Sequence, residues 1–173
     1  MIRCRDCGHE NIDGEEFCQR CEQPLAEPRE PLAASSVERS ILNDTIRRLV
    51  PREPLLVAPE TPVGEVLRRM VARRGGCAVV VAGHKVAGIF TERDALVKLN
   101  VRAGELADKP VGDFMTRSVE TLDLDDGIAF ALHKMDVGGY RHVPILEEGR
   151  IAGIISVRDI LDYLAGALRE AWR

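Results

Sequence analysis

Apolar residues recur along this chain with two periods that take turns. Val63, Val66, Leu67, Met70 and Val71 stand three to four apart, which predicts a helix capped by Thr61, with Pro62 in its first position and Gly75-Gly76 ending it. Residues 77–81 form an unbroken apolar run, the pattern of a buried strand. After the turn residues Gly83-His84-Lys85, residues 86–90 return as a second strand. A further helix is expected from Thr91, carrying Ala95, Leu96 and Leu99 inward. The same order then comes again: a helix around Ile128, Ala131, Leu132 and Met135, strands over 142–146 and 150–155 around Glu148-Gly149, and a longer helix with Ile160, Leu161, Leu164 and Leu168. Short strands near 55–57 and 119–122 precede the first helix of each set. The expected class is α/β (α+β).

The two sets are copies. At an offset of 65, and without a gap, Leu67, Met70, Ala87, Gly88, Ile89, Arg93, Asp94, Leu96 and Leu99 recur as Leu132, Met135, Ala152, Gly153, Ile154, Arg158, Asp159, Leu161 and Leu164. Upstream, Pro24, Pro28, Pro31 and the small residues Ala33-Ala34-Ser35-Ser36 read as a linker. The expected domains are 1–25, a linker over 26–40, and repeats over 41–106 and 107–173.

Charge and cysteine divide the chain at the same place. The net charge of −4 resides in residues 1–30, which carry four arginines against eight acids, and the remainder is formally neutral. Four of the five cysteines, Cys4, Cys7, Cys18 and Cys21, lie in the same stretch as two C-x-x-C pairs. Two such pairs supply the four thiolates of a closed tetrahedral zinc site, with Gly8 freeing the first turn and Asp13-Gly14 turning between the pairs. A redox dithiol or two disulfides are the alternatives, and no thioredoxin-like unit accompanies the motif. A four-thiolate site has no open coordination position, so a structural Zn2+ is expected. Ile2, Ile12, Phe17 and Leu25 are too few to fold this segment unaided. No apolar h-region follows Met1 and no apolar run approaches the ~20 residues of a membrane span, so the chain reads as cytoplasmic with no membrane association.

Two resemblances follow from these motifs. Cys4-x-x-Cys7-Gly8 followed by Phe17-Cys18-x-x-Cys21 is similar to small zinc-ribbon domains, departing from them at Glu22, where glycine often stands. Gly88-Ile89-Phe90-Thr91-Glu92-Arg93-Asp94 and Gly153-Ile154-Ile155-Ser156-Val157-Arg158-Asp159 resemble the G-h-x-[ST]-x-x-D signature of CBS domains. Val111-Gly112-Asp113-Phe114-Met115-Thr116, followed by Val119-Glu120-Thr121, resembles the segment that opens such domains. Two tandem copies imply a pseudo-twofold Bateman module with two clefts for adenosine nucleotides (AMP, ADP, ATP or S-adenosylmethionine).

The resemblance implies roles for particular residues. Asp94 and Asp159 would accept hydrogen bonds from ribose hydroxyls, Thr91 and Ser156 would approach phosphate, and Gly88 and Gly153 would let the ligand close on the strand. The clefts of such modules face each other, so Arg141, His142 and Arg150 would serve a nucleotide held by Asp94. The Asp159 cleft would face Gly76 and Cys77 and lack that charge, making the Asp94 cleft the better phosphate site. Thr121 offers a side-chain contact that Leu56 cannot. The same hydroxyl and acid also fit a helix capping box, so one set of residues serves a structural reading as well as a ligand-binding one. A solvated strand end is the plain reading of Arg141 and His142, and a small buried apolar residue that of Cys77.

No nucleophile–base pair, H-E-x-x-H, P-loop or G-x-G-x-x-G occurs, so catalysis is not expected. Two functions stay open: a regulatory adenine-nucleotide sensor, or a ligand-free dimerising adaptor whose ribbon binds protein or nucleic acid. The acidic ribbon favours a protein partner over nucleic acid. A homodimer is implied by the resemblance, with Trp172 a candidate interface residue.

Overall fold

The computed structural model describes residues 2–4, 7–12, 17–21, 25 and 36–171. The expected turn at Asp13-Gly14, most of the 26–40 linker and Trp172 lie outside the described residues. The chain divides into two compact units, Met1–Ser35 and Ser36–Arg173.

In the first unit β1 (Ile2–Arg3) pairs antiparallel with β2 (Glu10–Asn11). The chain doubles back through Gly8, whose φ of +71° suits glycine. There the Cys4 amide donates to the His9 carbonyl at 2.8 Å. Buried Asn11 ties this turn to the next: its Nδ2 donates to the His9 carbonyl at 3.1 Å and its Oδ1 accepts from the Gln19 amide at 3.0 Å. Ile12 and Phe17 stay exposed. The described residues of this unit therefore bury little beyond Cys4, Asn11 and Cys18.

The second unit opens with α1 (Ser36–Asn43), which begins inside the stretch expected as linker. β3 (Leu56–Val57), α2 (Val63–Ala72), β4 (Cys77–Ala82), β5 (Lys85–Thr91) and α3 (Glu92–Asp94) follow, then α4 (Ala103–Leu106). The second set is β6 (Leu122–Asp123), α5 (Ile128–Gly138), β7 (His142–Glu147), β8 (Arg150–Ser156) and α6 (Val157–Ala171). Each repeat is a three-stranded sheet, β3-β4-β5 or β6-β7-β8, whose first pair is parallel and second antiparallel. Even a register shift is repeated, at Val80/Val81 and again at Ile145/Leu146. One difference has a local cause. The Val79 amide donates to the Leu55 carbonyl at 2.8 Å, whereas its counterpart Pro144 has no N–H, and the second parallel ladder starts one residue later at Leu122↔Ile145.

Several sequence expectations need correcting. α2 starts at Val63, with Pro62 at its N-cap and no side chain capping it, and Arg74, at φ +50°, turns the chain before Gly75 is reached. The helix after β5 does not run on as α6 does. A π turn over Ala95–Leu99 and a 3-10 turn over Asn100–Arg102 separate α3 from α4, and Asn100 sits at φ +49°. Leu99 is buried, but Val71 (77% exposed), Leu96 (75%) and Leu161 (58%) point away from the sheets. They lie at the margin of the apolar stripe, which is only about 100° wide.

The two repeats also exchange segments. Residues 44–52 open the first repeat in sequence but join the core of the second. The Ile46 amide donates to the Asp126 carbonyl at 2.9 Å, the Ile128 amide donates to the Asp44 carbonyl at 3.0 Å, and Arg52 bridges Ile154 in both directions. Ile46, fully buried, packs with Leu122, Ile128, Val143 and Ile145. Reciprocally, residues 109–116 join the first repeat: the Val63 amide donates to the Lys109 carbonyl at 2.8 Å, Thr116 bridges Ile89, and Val111 and Met115 enter the core with Val63, Val80 and Phe90. Sequence boundaries at 41–106 and 107–173 therefore cut across both cores. Among the described residues no helix is long and apolar enough to cross a membrane.

Candidate functional site

The two equivalent junctions between strand and helix, one in each repeat, both carry a carboxylate. β5 delivers Thr91 in extended backbone, φ −118° and ψ 166°, to the start of α3. The Asp94 amide donates to the Thr91 hydroxyl at 3.2 Å, and Asp94 Oδ2 accepts from the Thr91 amide at 2.9 Å and from its hydroxyl at 2.7 Å. The capping box is complete. Asp94 Oδ1 accepts from Thr116 Oγ1 at 3.1 Å and pairs with Lys98 Nζ at 2.7 Å. Burial acts to raise the pKa of Asp94, but the hydrogen bonds from Lys98 and Thr91 outweigh it and hold the group below the ordinary carboxylate value.

The second junction repeats the bonds to one carboxylate oxygen and changes the partner of the other. Asp159 Oδ2 accepts from the Ser156 amide at 2.7 Å and from its hydroxyl at 2.6 Å, and Oδ1 pairs with the Arg52 guanidinium. Thr116 and Arg52 play corresponding parts, since both belong to the exchanged segments. One supplies a hydroxyl, the other a charge.

Two adjoining cavities lie beside these carboxylates. One, of about 370 Å3, is lined by Thr91, Asp94, Thr116, Ile89, Leu96, Val97, Tyr140, Arg141 and His142. The other, of about 340 Å3, is lined by Ser156, Asp159, Arg158, Arg52, Arg73, Arg74, Gly76 and Cys77, again with Arg141 and His142. Both lie within the size range of small-molecule sites. His142 sits against Gly76, where a Cβ would come within 2.9 Å of its ring. Burial lowers the His142 pKa, against the pull of Glu92 and Asp159, so the ring is neutral near pH 7. Burial, followed by the charge of Glu92, pushes the Cys77 thiol up to about 12, which leaves it protonated and inert.

The predicted residues divide accordingly. Thr91, Asp94, Arg141 and His142 come together in one cleft, and Ser156 and Asp159 in the other with the same Arg141 and His142. The expectation that the Asp159 cleft lacks positive charge is overturned by Arg52, Arg73, Arg74 and Arg158. Gly88 and Gly153 line neither cleft. A Cβ on Gly88 would lie 2.4 Å from Met115 Sδ, and one on Gly153 would lie 2.5 Å from Pro51 Cβ, so these glycines admit the exchanged segments, not a ligand. Thr121 and Arg150 also line neither cleft. Arg150 starts β8 beside the hairpin turn, six residues from Ser156 and roughly 20 Å along an extended strand. Sequence reasoning missed Lys98, Thr116, Arg52, Arg73 and Arg74. The last two had a signal in the offset of 65, which aligns Arg73-Arg74-Gly75-Gly76 with Gly138-Gly139-Tyr140-Arg141.

In the first unit the ligand atoms of Cys4, Cys7, Cys18 and Cys21 all lie within 4.8 Å of one another. Cys4 Sγ is 3.6 Å from Cys21 Sγ, and Cys7 Sγ is 3.6 Å from Cys18 Sγ. These separations are far too long for disulfides and close to the ~3.8 Å edge of a tetrahedron with metal–sulfur bonds of ~2.3 Å. Burial opposes ionisation of Cys18, but the Arg20 and Cys21 amides and the neighbouring thiols outweigh it and bring its pKa to about 6. A readily formed thiolate suits a metal ligand.

The CBS domain family matches residues 46–100 and 111–166, and the chain belongs to that family. It is 31% identical over 141 residues to the CBS domain-containing protein CBSCBSPB5 of Arabidopsis thaliana, a match that covers 78% of this chain but only 26% of that longer protein. Among solved structures, the CBS-domain protein ATU1752 of Agrobacterium tumefaciens is similar with a TM-score of 0.64 and 31% identity, over 69% of this chain and 98% of that one. The CBS domain protein PAE2072 of Pyrobaculum aerophilum, solved with AMP, is similar with a TM-score of 0.60 and 25% identity, over 71% and 99% of the two chains.

Proposed function

We propose that this chain is a regulatory sensor of adenosine ligands, AMP, ADP, ATP or S-adenosylmethionine, held in the two clefts of its CBS pair. The observation that carries this is the recurrence, in each cleft, of a hydroxyl–carboxylate pair at a strand-to-helix junction within a cavity that also contains Arg141. A carboxylate offers two acceptors to a ribose cis-diol, and a guanidinium offers paired donors to phosphate. The AMP complex of the similar PAE2072 protein supports the ligand class. Residues Cys4, Cys7, Cys18 and Cys21 would hold a structural Zn2+, which supplies cross-linking and no chemistry, in a small domain for a protein partner. The CBS pair acts as a homodimer in the cytoplasm.

A ligand-free adaptor is the second reading. It is favoured by the complete capping box of Thr91 and Asp94, by the bonds from Ser156 to Asp159, and by Lys98 and Arg52, which already neutralise the two carboxylates. Thermal melts of the full-length protein separate the two. Ligand that binds only the folded state at one hundred times its Kd stabilises by about 2.7 kcal/mol. A rise in Tm with at least one of the four ligands, reduced in Asp94→Ala or Asp159→Ala protein, is expected. Unchanged melting with all four leaves the adaptor.

A further inference from the structure

The two clefts are built from equivalent loops of unlike chemistry. After α2 the chain contributes Arg73 and Arg74 to the Asp159 cleft, whereas 65 residues on, after α5, it contributes Gly139 and Tyr140 to the Asp94 cleft. The Asp159 cleft thus has five arginines against Glu53, Glu92 and Asp159. The Asp94 cleft balances Arg93 and Arg141 against Glu92 and Asp94, and the rest of its wall is largely apolar, with Ile89, Leu96, Val97 and Tyr140.

Availability differs as well as number. Among the described residues Arg73, Arg74, Arg141 and Arg158 form no ion pair. Unpaired guanidinium groups in a concave site focus positive potential and match phosphate oxygens in pairs. Arg52 does have a partner, Asp159, but its side chain is 59% exposed and free to swing outward. Beyond Arg73 the lining continues: a neighbouring cavity of about 560 Å3 shares Glu53, Pro54 and Arg73 and adds Arg69. That is room for more than one phosphate.

We infer that the Asp159 cleft takes an adenosine ligand with a di- or triphosphate, with Arg73 and Arg74 on the phosphates and Arg52 yielding Asp159 to the ribose, while the Asp94 cleft takes an adenosine ligand without phosphate. This reverses the ranking expected from sequence, and it rests on the adenosine-sensor function proposed above. In the Asp94 cleft a phosphate would meet only Arg93 and Arg141, offset by Glu92 and Asp94, beside a largely apolar wall that cannot replace its hydration. In the Asp159 cleft the same group meets five arginines.

Isothermal titration of full-length protein with ATP and with adenosine tests the assignment. Arg73→Gln/Arg74→Gln protein is expected to lose ATP affinity tenfold or more while keeping adenosine affinity within threefold. Both side chains are exposed, and an unchanged Tm without ligand verifies the fold. Arg52→Gln is expected to weaken ATP less, because it also frees Asp159. Unchanged ATP affinity in the double variant overturns the inference, and so does loss of ATP binding in Asp94→Asn but not in Asp159→Asn protein. Adenosine binding without ATP binding to the wild-type chain overturns this inference alone, whereas binding of neither, together with melting unchanged by AMP, ADP and S-adenosylmethionine, overturns the sensor function too.

Discussion

Replacing Ile46 by alanine should loosen the second repeat, although Ile46 lies at the start of the first in sequence. The side chain is fully buried among Leu122, Ile128, Val143, Ile145 and Ile155. Three carbons are removed, which at ~0.8 kcal/mol each costs about 2.4 kcal/mol in transfer alone. The void adds up to about 2 kcal/mol if the surroundings do not collapse, at ~24 cal/mol per Å3 over roughly 80 Å3. A loss of about 3–4 kcal/mol is therefore expected, which in a unit of this size lowers Tm by of order 10 °C. Urea unfolding gives the total, and amide hydrogen exchange locates it: β6, β7 and β8 should exchange faster by a larger factor than β3, β4 and β5. A loss below about 1 kcal/mol, or faster exchange centred on β3–β5, would refute the segment exchange. Val111→Ala is the mirror experiment, with its effect expected in the first sheet.

Three other outcomes are expected. Gly88→Ala should destabilise by about 1–3 kcal/mol in urea unfolding without any ligand present, since its Cβ would strike Met115 Sδ and the Thr116 carbonyl; a neutral result would return this glycine to a ligand-binding role. Because burial lowers the His142 pKa in the folded state, the unfolded chain binds the extra proton first, so stability should rise with pH from the folded pKa up to the ordinary value near 6.5 and level off above it. His142→Asn should flatten that slope, and an unaltered pH profile of stability would count against a buried neutral ring. Stripping metal with a chelator should remove any protection of the Cys4 amide, which donates to the His9 carbonyl, as should Cys18→Ser, while the melting of the 36–173 unit, which has its own cores, stays within about 1 °C; an equally protected Cys4 amide in metal-free protein would argue against a metal-held ribbon.

Much of the fold was legible because it is local. Helix and strand periods, the turn at Glu148-Gly149, the capping pairs Thr91/Asp94 and Ser156/Asp159, and the two C-x-x-C pairs involve residues a few positions apart, and duplication at an offset of 65 reinforced each reading. Where local pattern misled, packing decided. Val71, Leu96 and Leu161 have the right period but miss the sheet, and the break after Leu99 depends on a π turn and a left-handed Asn100 that no spacing announces.

By itself, then, the amino-acid sequence determined the elements, their duplication, the family and the four cysteines that converge. Only the tertiary structure decided which segment completes which core, that Arg52 reaches Asp159 across 107 positions, and that Arg73 and Arg74 charge the cleft expected to be bare. The physical reason is one of range. Capping and periodicity act along a few bonds of the chain, whereas the charge around a carboxylate is the sum over whatever distant segments the fold sets beside it.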